Sequence, residues 1–130
     1  SASPDSCLDA AGELGLTATQ LPEACGGGGE LRSPTTNALV LEELAHGDAT
    51  LAVAAVSPSL FASAIADHGS EAQKTALLPL FTTSKFHAAS LALVEPGALF
   101  DPTRLRTTVE PKGDAFVLSG GLAIRPTTAP

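Results

Sequence analysis

Few side chains in this sequence have the type and spacing that direct chemistry needs. Cys7 and Cys25 are 18 residues apart, and neither has a second Cys or His at the spacing of a metal-ligand pair. We therefore predict no zinc site. A disulfide between the two cysteines stays open, but we favour two idle thiols, because cytosolic proteins keep their thiols reduced.

The histidines and the paired carboxylates also have ordinary structural interpretations. The three histidines share no HxxxH or HExxH pattern, and His46 and His68 each precede a glycine after an apolar stretch. That placement predicts helix C-termini, where an imidazolium interacts favourably with the helix dipole. Glu42 and Glu43 could do acid–base chemistry. They adjoin an apolar stripe, however, and we interpret them as a solvated helix face.

Four consecutive glycines, Gly26–Gly29, look at first like a phosphate-binding loop. A P-loop needs a Lys-Ser/Thr pair after its glycines, and a dinucleotide-binding loop needs a strand before them. Neither feature is present. We therefore predict a loop at this position rather than a phosphate cradle.

The charge balance excludes several classes of partner. Seven basic residues stand against fourteen acidic ones, for a formal net charge of −7. The excess lies within residues 1–87, and residues 88–130 are neutral. Without a basic stripe we expect neither nucleic acid nor an anionic membrane as a partner. No uninterrupted apolar run reaches about 18 residues, and residues 1–9 do not resemble a signal peptide, so we expect a cytoplasmic protein without a transmembrane helix.

The first two thirds of the chain have helical periodicity. A short helix is predicted over Leu8–Leu16 with a stop at Gly15, followed by an extended link over Thr17–Leu21. Three further helices are predicted from their N-terminal signals. These are the N-cap Ser33 before a proline, the N-cap Asp48, and the capping box Ser70–Gln73.

Two residues should modify the long apolar helix that follows Asp48. Pro58 should kink or divide it, because proline removes one backbone hydrogen bond. Gly69 should end it in a left-handed conformation. Both predictions rest on residue type alone.

From Phe86 onward the period of the pattern changes to two. Ala89, Leu91 and Leu93 alternate with smaller or polar residues and predict a strand. Two more strands, Arg106–Glu110 and Ala115–Leu118, flank a turn. The sequence therefore predicts an α+β chain with a helical domain over residues 1–87 and a β domain over residues 88–130.

Five segments, in order, resemble the acyl-CoA dehydrogenase family. They match the family patterns ELGL…PEEYGG, LEELAR-DAS, fGteeQKakwLP, ALTEPGAGSD…LRTTA and GDGYVLNG. In this chain the matching segments begin at Glu13, Leu39, His68, Leu93 and Gly113. Each motif alone is weak, but their order and separations cover nearly the whole chain.

The resemblance implies an all-α helical bundle followed by the beginning of an antiparallel β-barrel, in a fragment of a larger chain. It implies FAD as cofactor, α,β-dehydrogenation of an acyl-CoA substrate, and a homo- or hetero-oligomer of acyl-CoA dehydrogenase chains. The family's catalytic base is a Glu in a segment that would follow residue 130, so no residue here is assigned as catalytic. Leu60, Phe61 and Ala64 are candidates for the bottom of a helical acyl pocket.

The resemblance also implies a set of cofactor-binding positions. In the family, the stretch that matches Leu91–Asp101 lies along the flavin, and a second stretch places a Trp and a Thr against the ring. The positions expected to contact FAD are Leu91, Leu93, Val94, Leu99, Phe100, Ile124 and Pro126.

This chain departs from the family at several of those positions. Val94 and Pro126 stand where the family has Thr, Ile124 stands where it has Trp, and Leu99-Phe100 replaces Gly-Ser. Three or four lost hydrogen bonds at ~1 kcal/mol each would weaken FAD binding by about two orders of magnitude. Three roles therefore stay open: a flavin enzyme, a degenerate non-catalytic subunit packed against an active homologue, and an unrelated helical binding module.

Overall fold

The computed structural model describes residues 4–96 and 101–121, which form helices and one hairpin. The helices are α1 (Pro4–Glu13), α2 (Pro34–Ala45), α3 (Ala49–His68) and α4 (Glu71–Leu77), and the strands are β1 (Thr108–Lys112) and β2 (Ala115–Ser119). This arrangement confirms the predicted class, a helical region followed by the start of a β region. The contacts divide the chain into two compact units, with one unit reaching Ser90 and the other beginning at Leu91.

Side-chain capping starts α2, α3 and α4 where the sequence predicts. The Ser33 hydroxyl accepts a hydrogen bond from a first-turn N–H of α2 at 3.2 Å. An Asp48 carboxylate oxygen accepts two from the first turn of α3, at 2.8 and 3.0 Å. Ser70 and Gln73 exchange reciprocal bonds at 2.8 and 3.2 Å, which completes the capping box.

The long helix α3 is the centre of the helical unit, and it contacts α1, α2 and α4. A hydrophobic core forms beside it from Leu21, Ala62, Leu78 and Phe81. Pro58 is fully buried and does not divide α3, so that part of the prediction is wrong. Packing around the proline holds the helix together despite the missing N–H.

By length and composition alone, α3 could cross a membrane. Its mean hydropathy is 1.7, and 28% of its apolar window is buried. The sequence criterion of an uninterrupted apolar run misses this helix because Ser57, Pro58 and Ser59 interrupt the run. One such helix is weak evidence for a membrane span, since the core helix of a soluble domain has the same composition.

The boundaries of the first helix and the following link differ from the prediction. Helix α1 begins at Pro4 instead of Leu8 and ends at Glu13, and Gly15 beyond it has a φ of +65°. The link predicted as extended over Thr17–Leu21 contains a 3₁₀ turn, Ala18–Gln20. The extended prediction is therefore wrong.

The glycine run forms a loop, as predicted, and it packs tightly against that 3₁₀ turn. The N–H groups of Gly28 and Gly29 donate to the Ala18 and Leu21 carbonyls at 2.9 Å. The N–H of Glu30, which follows the run, donates to the Thr19 carbonyl at 3.0 Å. A Cβ on Gly27 would lie 2.2 Å from the Leu21 carbonyl oxygen. These tertiary bonds hold the turn in place, which a local pattern cannot reveal.

Gly69 ends α3 in an extended conformation, with φ −69° and ψ 150°, so the left-handed prediction is wrong. Its N–H donates to the Ile65 carbonyl at 2.8 Å. A Cβ at this position would lie 2.5 Å from the same oxygen. Glycine therefore serves a close approach here and not a positive φ.

Positive φ values do occur elsewhere. Among residues 4–96 and 101–121 they belong to glycines alone, at Gly15, Gly26, Gly29, Gly113 and Gly120.

An exposed ion pair joins the segment before α2 to the end of α3. The Arg32 guanidinium donates two hydrogen bonds to the Asp67 carboxylate, one of them at 2.6 Å. The pair raises the pKa of Arg32 and lowers that of Asp67, chiefly through these hydrogen bonds. Both side chains are well exposed, so the pair contributes little to stability.

The second unit contains an antiparallel hairpin. Lys112 lies opposite Ala115, which leaves a two-residue turn at Gly113–Asp114. Gly113 has a φ of +63° and Asp114 does not have a positive φ, the sign pattern of a type II′ turn. The first strand begins two residues later than predicted. The strand predicted around Ala89–Leu93 is wrong, because that segment has no strand pairing with any residue the structure describes.

Candidate functional site

Three of the predicted cofactor-binding residues lie on one segment of the second unit that has no regular secondary structure. Leu91, Leu93 and Val94 have exposed fractions of 42%, 41% and 49%. The other four predicted positions, Leu99, Phe100, Ile124 and Pro126, lie outside the described residues. The segment Leu91–Pro96, which we call the site segment, is thus the part of the predicted site whose geometry can be stated.

The backbone of the site segment is not used in a β-ladder with any part of the chain that the structure describes. The apolar side chains of Leu91, Leu93 and Val94 are exposed, and the backbone amides of the segment form no strand pairing with the described residues. A flat apolar ring with polar atoms along one edge suits this surface, because the side chains can pack on the ring while backbone amides bond its edge. The chemistry of these three residues is compatible with packing against a flavin ring, but Val94 offers no hydroxyl.

Glu95 fixes the end of the site segment. Its side chain is buried, at 7% exposure, and its carboxylate accepts hydrogen bonds from two consecutive backbone N–H groups. The N–H of Arg106 lies 2.8 and 2.9 Å from the two oxygens, and the N–H of Thr107 lies 2.6 Å from one of them. Both donors immediately precede β1.

The Arg106 side chain makes two further contacts at the same place. Its Nε lies 3.5 Å from the Glu95 carboxylate, and its guanidinium also donates to the Pro96 carbonyl. The side chain is 74% exposed, so water screens its charge. The backbone donors, and not the ion pair, are the principal partners of Glu95.

These contacts determine the charge state of Glu95. The Arg106 N–H contributes most, and Thr107 adds to it, so that the pKa of Glu95 falls from 4.5 to about 2. Glu95 is therefore ionised at neutral pH and is not a proton donor. The sequence analysis did not identify Glu95 as the residue that fixes this segment, because there it appears only as one position of a family motif. The available signal was an acid 11 residues before an arginine in a neutral region.

A second feature, in the helical unit, is an apolar groove between α2 and α3. Leu60 lines it together with Leu14, Leu16, Val40, Leu41 and Val56. Phe61 does not line this groove, because its ring packs against Phe81 with centroids 5.7 Å apart. Its place in an acyl pocket stays a prediction. Ala64 does not line the groove.

Polar side chains border the same groove. The Gln20 and Asn37 amides bond each other across it, and the Ser59 hydroxyl donates to that of Thr17 at 3.3 Å. These groups already have partners.

Other candidate chemistry is not assembled by the fold. Cys7 and Cys25 are both free thiols. Within the described ranges no group of three or more His, Cys, Asp or Glu is placed to hold a metal ion. His46 follows α2 as its C-cap and His68 is the last residue of α3, which confirms their predicted positions at helix C-termini.

Comparison with known proteins gives matches to one protein family. The model of the acyl-CoA dehydrogenase N-terminal domain matches residues 1–85. A short/branched chain specific acyl-CoA dehydrogenase, mitochondrial, of Bos taurus is 34% identical over 109 residues, which is 83% of this chain and 24% of that protein. A glutaryl-CoA dehydrogenase of Desulfococcus multivorans is 34% identical over 110 residues, 84% of this chain and 28% of that protein.

A third relative, acyl-CoA dehydrogenase FadE12 of Mycobacterium tuberculosis, is 33% identical over 110 residues, 85% of this chain and 28% of that protein. The chain thus spans about a quarter of the length of the curated relatives it matches. The family model covers well over half of the residues and includes all four helices. The chain therefore belongs to the acyl-CoA dehydrogenase family.

Proposed function

We propose that this chain supplies the N-terminal helical domain and the first flavin-contacting segment of a flavin-dependent acyl-CoA dehydrogenase. The helical domain would occupy residues 1–87 and the β domain residues 88–130. The substrate would be an acyl-CoA thioester. The protein would act in the cytoplasm as a homo- or hetero-oligomer of acyl-CoA dehydrogenase chains.

The observation that carries the proposal is the site segment itself. It presents exposed apolar side chains at Leu91, Leu93 and Val94 beside a buried Glu95 that fixes its end. When bound, FAD would accept the hydride that leaves the β-carbon of the thioester. The chain's own contribution is to pack against the ring, offer backbone hydrogen bonds to its edge and keep water away.

A second role is favoured by one specific residue. Val94 is exposed at the position where the resemblance places a Thr, so it cannot donate the expected hydroxyl bond. A chain that has lost such contacts suits a non-catalytic subunit that packs against an active homologue.

Absorbance spectroscopy of the purified full-length protein tests both roles. A flavin enzyme should be yellow as purified, with flavin bands that remain after desalting. A non-catalytic subunit should be colourless alone and should yield a yellow complex only when co-purified with an active homologue. Absence of flavin in both preparations would contradict the flavin proposal.

A further inference from the structure

We propose that Glu95 is a positioning residue, which holds the Leu93–Val94 backbone in place for the flavin by binding the two N–H groups that precede β1. The inference rests on the proposed function and names a residue that acts through others rather than touching the cofactor. Three observations carry it: the burial of Glu95, the identity of its partners and its place in the chain.

Burial makes the Glu95 contacts specific. A carboxylate removed from water needs strong compensating partners. Glu95 has them in the N–H groups of Arg106 and Thr107, at 2.6–2.9 Å. Hydrogen bonds to an ionised acceptor are about twice as strong as neutral ones. The carboxylate therefore constrains both the site segment and the start of the hairpin.

The identity of the partners explains why the constraint acts on the backbone. Two consecutive N–H groups that converge on one carboxylate fix the direction of the peptide plane between them. On the other side, Glu95 directly follows Val94 in the chain, so a shift of its carboxylate moves the Val94 carbonyl and amide. A misplacement of about 1 Å in a positioning element is enough to lose much of its effect.

A neutral isostere should separate this role from packing. In Glu95→Gln the amide oxygen can replace only one carboxylate oxygen, and the NH2 group would face the Arg106 N–H as donor against donor. We expect FAD to bind about tenfold more weakly to full-length Glu95→Gln protein, or to its complex with the partner chain. We also expect a shifted visible flavin spectrum at saturating FAD.

Two variants serve as controls. Glu110→Gln makes the same chemical change at an exposed strand position and should leave affinity and spectrum unchanged. Arg106→Ala removes the guanidinium contacts to Glu95 and Pro96 but keeps both N–H donors, so it should weaken FAD binding less than Glu95→Gln does.

The outcomes distinguish the two proposals. If the unaltered protein binds FAD and Glu95→Gln binds it equally well with an identical spectrum, the inference fails and the proposed function stands. Weaker binding with an unchanged spectrum at saturation indicates a purely structural role and also overturns the inference. If the unaltered protein holds no FAD alone or with its partner, the proposed function fails and the inference fails with it.

Discussion

A single carboxylate has the most unusual environment among the residues of the site segment. Glu95 is buried next to two backbone donors, and its ordinary pKa of 4.5 falls to about 2 because the Arg106 N–H and Thr107 stabilise the charged form. A depressed carboxyl pKa contributes stability above the unfolded-state pKa and loses it as pH falls toward the folded-state value. Glu95 therefore stabilises the second unit at neutral pH.

The pH dependence of the hairpin tests this electrostatic assignment. We expect the protection of the β1 and β2 amides, corrected for intrinsic exchange, to fall as pH drops from about 4.5 to about 2, because Glu95 takes up a proton in that interval on unfolding. Hydrogen exchange measured across that range checks the prediction. In Glu95→Gln protein the decline should be smaller. An equal decline in both proteins would show that other carboxylates cause it.

The missing hydroxyls give a second residue-level prediction. Val94→Thr combined with Pro126→Thr should raise FAD occupancy, because each change restores a hydroxyl at a position where the family resemblance places one. Pro126 lies outside the described residues, whereas Val94 is exposed and has room for the change. Flavin absorbance per protein measures occupancy.

A valine-to-threonine change outside the site segment provides the matched control. Val109 is an exposed valine on β1, and Val109→Thr should leave flavin content unchanged. If the double variant holds no more flavin than the Val109→Thr control, the assignment of these positions to the flavin is wrong.

Capping chemistry gives a prediction about stability. Ser70→Ala should lower the free energy of unfolding by about 1 kcal/mol, since the variant loses the bond from the Gln73 N–H. Thermal melting checks it against Ser90→Ala, which changes an exposed serine outside the helices. Equal melting temperatures in the two variants would mean that the cap contributes nothing.

At the level of elements, the starts of α2, α3 and α4 could be predicted, whereas the start of α1 and the conformation that ends α3 could not. Ser33, Asp48 and Ser70 act on N–H groups within three residues, so the local sequence contains all the information required. The end at Gly69 depends on contact with the Ile65 carbonyl, which leaves no room for a Cβ. A glycine pattern alone cannot distinguish that contact from a left-handed cap.

The alternating pattern of apolar residues predicted strands less well than the N-cap residues predicted helix starts. The residues from Ala89 to Leu93 have a period of two, which indicates an extended chain but not a partner strand. The start of β1 was displaced for a related reason, because Glu95 takes the N–H groups of Arg106 and Thr107. Competition from a side chain 11 residues away is invisible to a local window.

The glycine loop provides a prediction at the same scale. Gly27→Ala should cost about 1–3 kcal/mol, because its Cβ would lie 2.2 Å from the Leu21 carbonyl oxygen and the loop or the turn would have to move. Gly47→Ala is the matched control, since its nearest neighbour would be 3.6 Å away and its φ is not positive. Denaturant unfolding compares the two variants, and equal midpoints would contradict the tight packing of the loop.

At the scale of the whole molecule, the two units differ in how far their residues are buried. The helical unit has a core built on α3, whereas every residue of β1 and β2 is exposed. A two-stranded hairpin without a covered face is marginally stable in water. The large apolar side chains of Phe116 and Leu118 on β2 suit burial by additional protein.

Hydrogen exchange should reveal this difference directly. In the chain of residues 1–130, the hairpin amides should exchange at least tenfold faster than those in the middle of α3, because fewer buried contacts oppose local opening. Mass spectrometry of peptides from both units measures the rates. Slower or equal exchange in the hairpin would show that it has support that the exposure pattern does not indicate.

The candidate site was only partly predictable from the sequence. Leu91, Leu93 and Val94, which the resemblance assigns to the flavin, lie on one accessible segment because neighbours in sequence stay neighbours in space. Their contact with a flavin stays a prediction. Glu95 required coordinates, because its importance comes from a buried contact with a backbone that the pattern describes as a simple strand. The different surroundings of Leu60 and Phe61 also required coordinates, because side chains on one helix divide between core and groove according to what packs against them.

The restriction of positive φ to glycine has a consequence for how this scaffold recognises a ligand. Across residues 4–96 and 101–121 no side-chain-bearing residue is held in a left-handed conformation. Ligand binding by these residues therefore has no left-handed backbone strain at a side-chain-bearing residue to relieve.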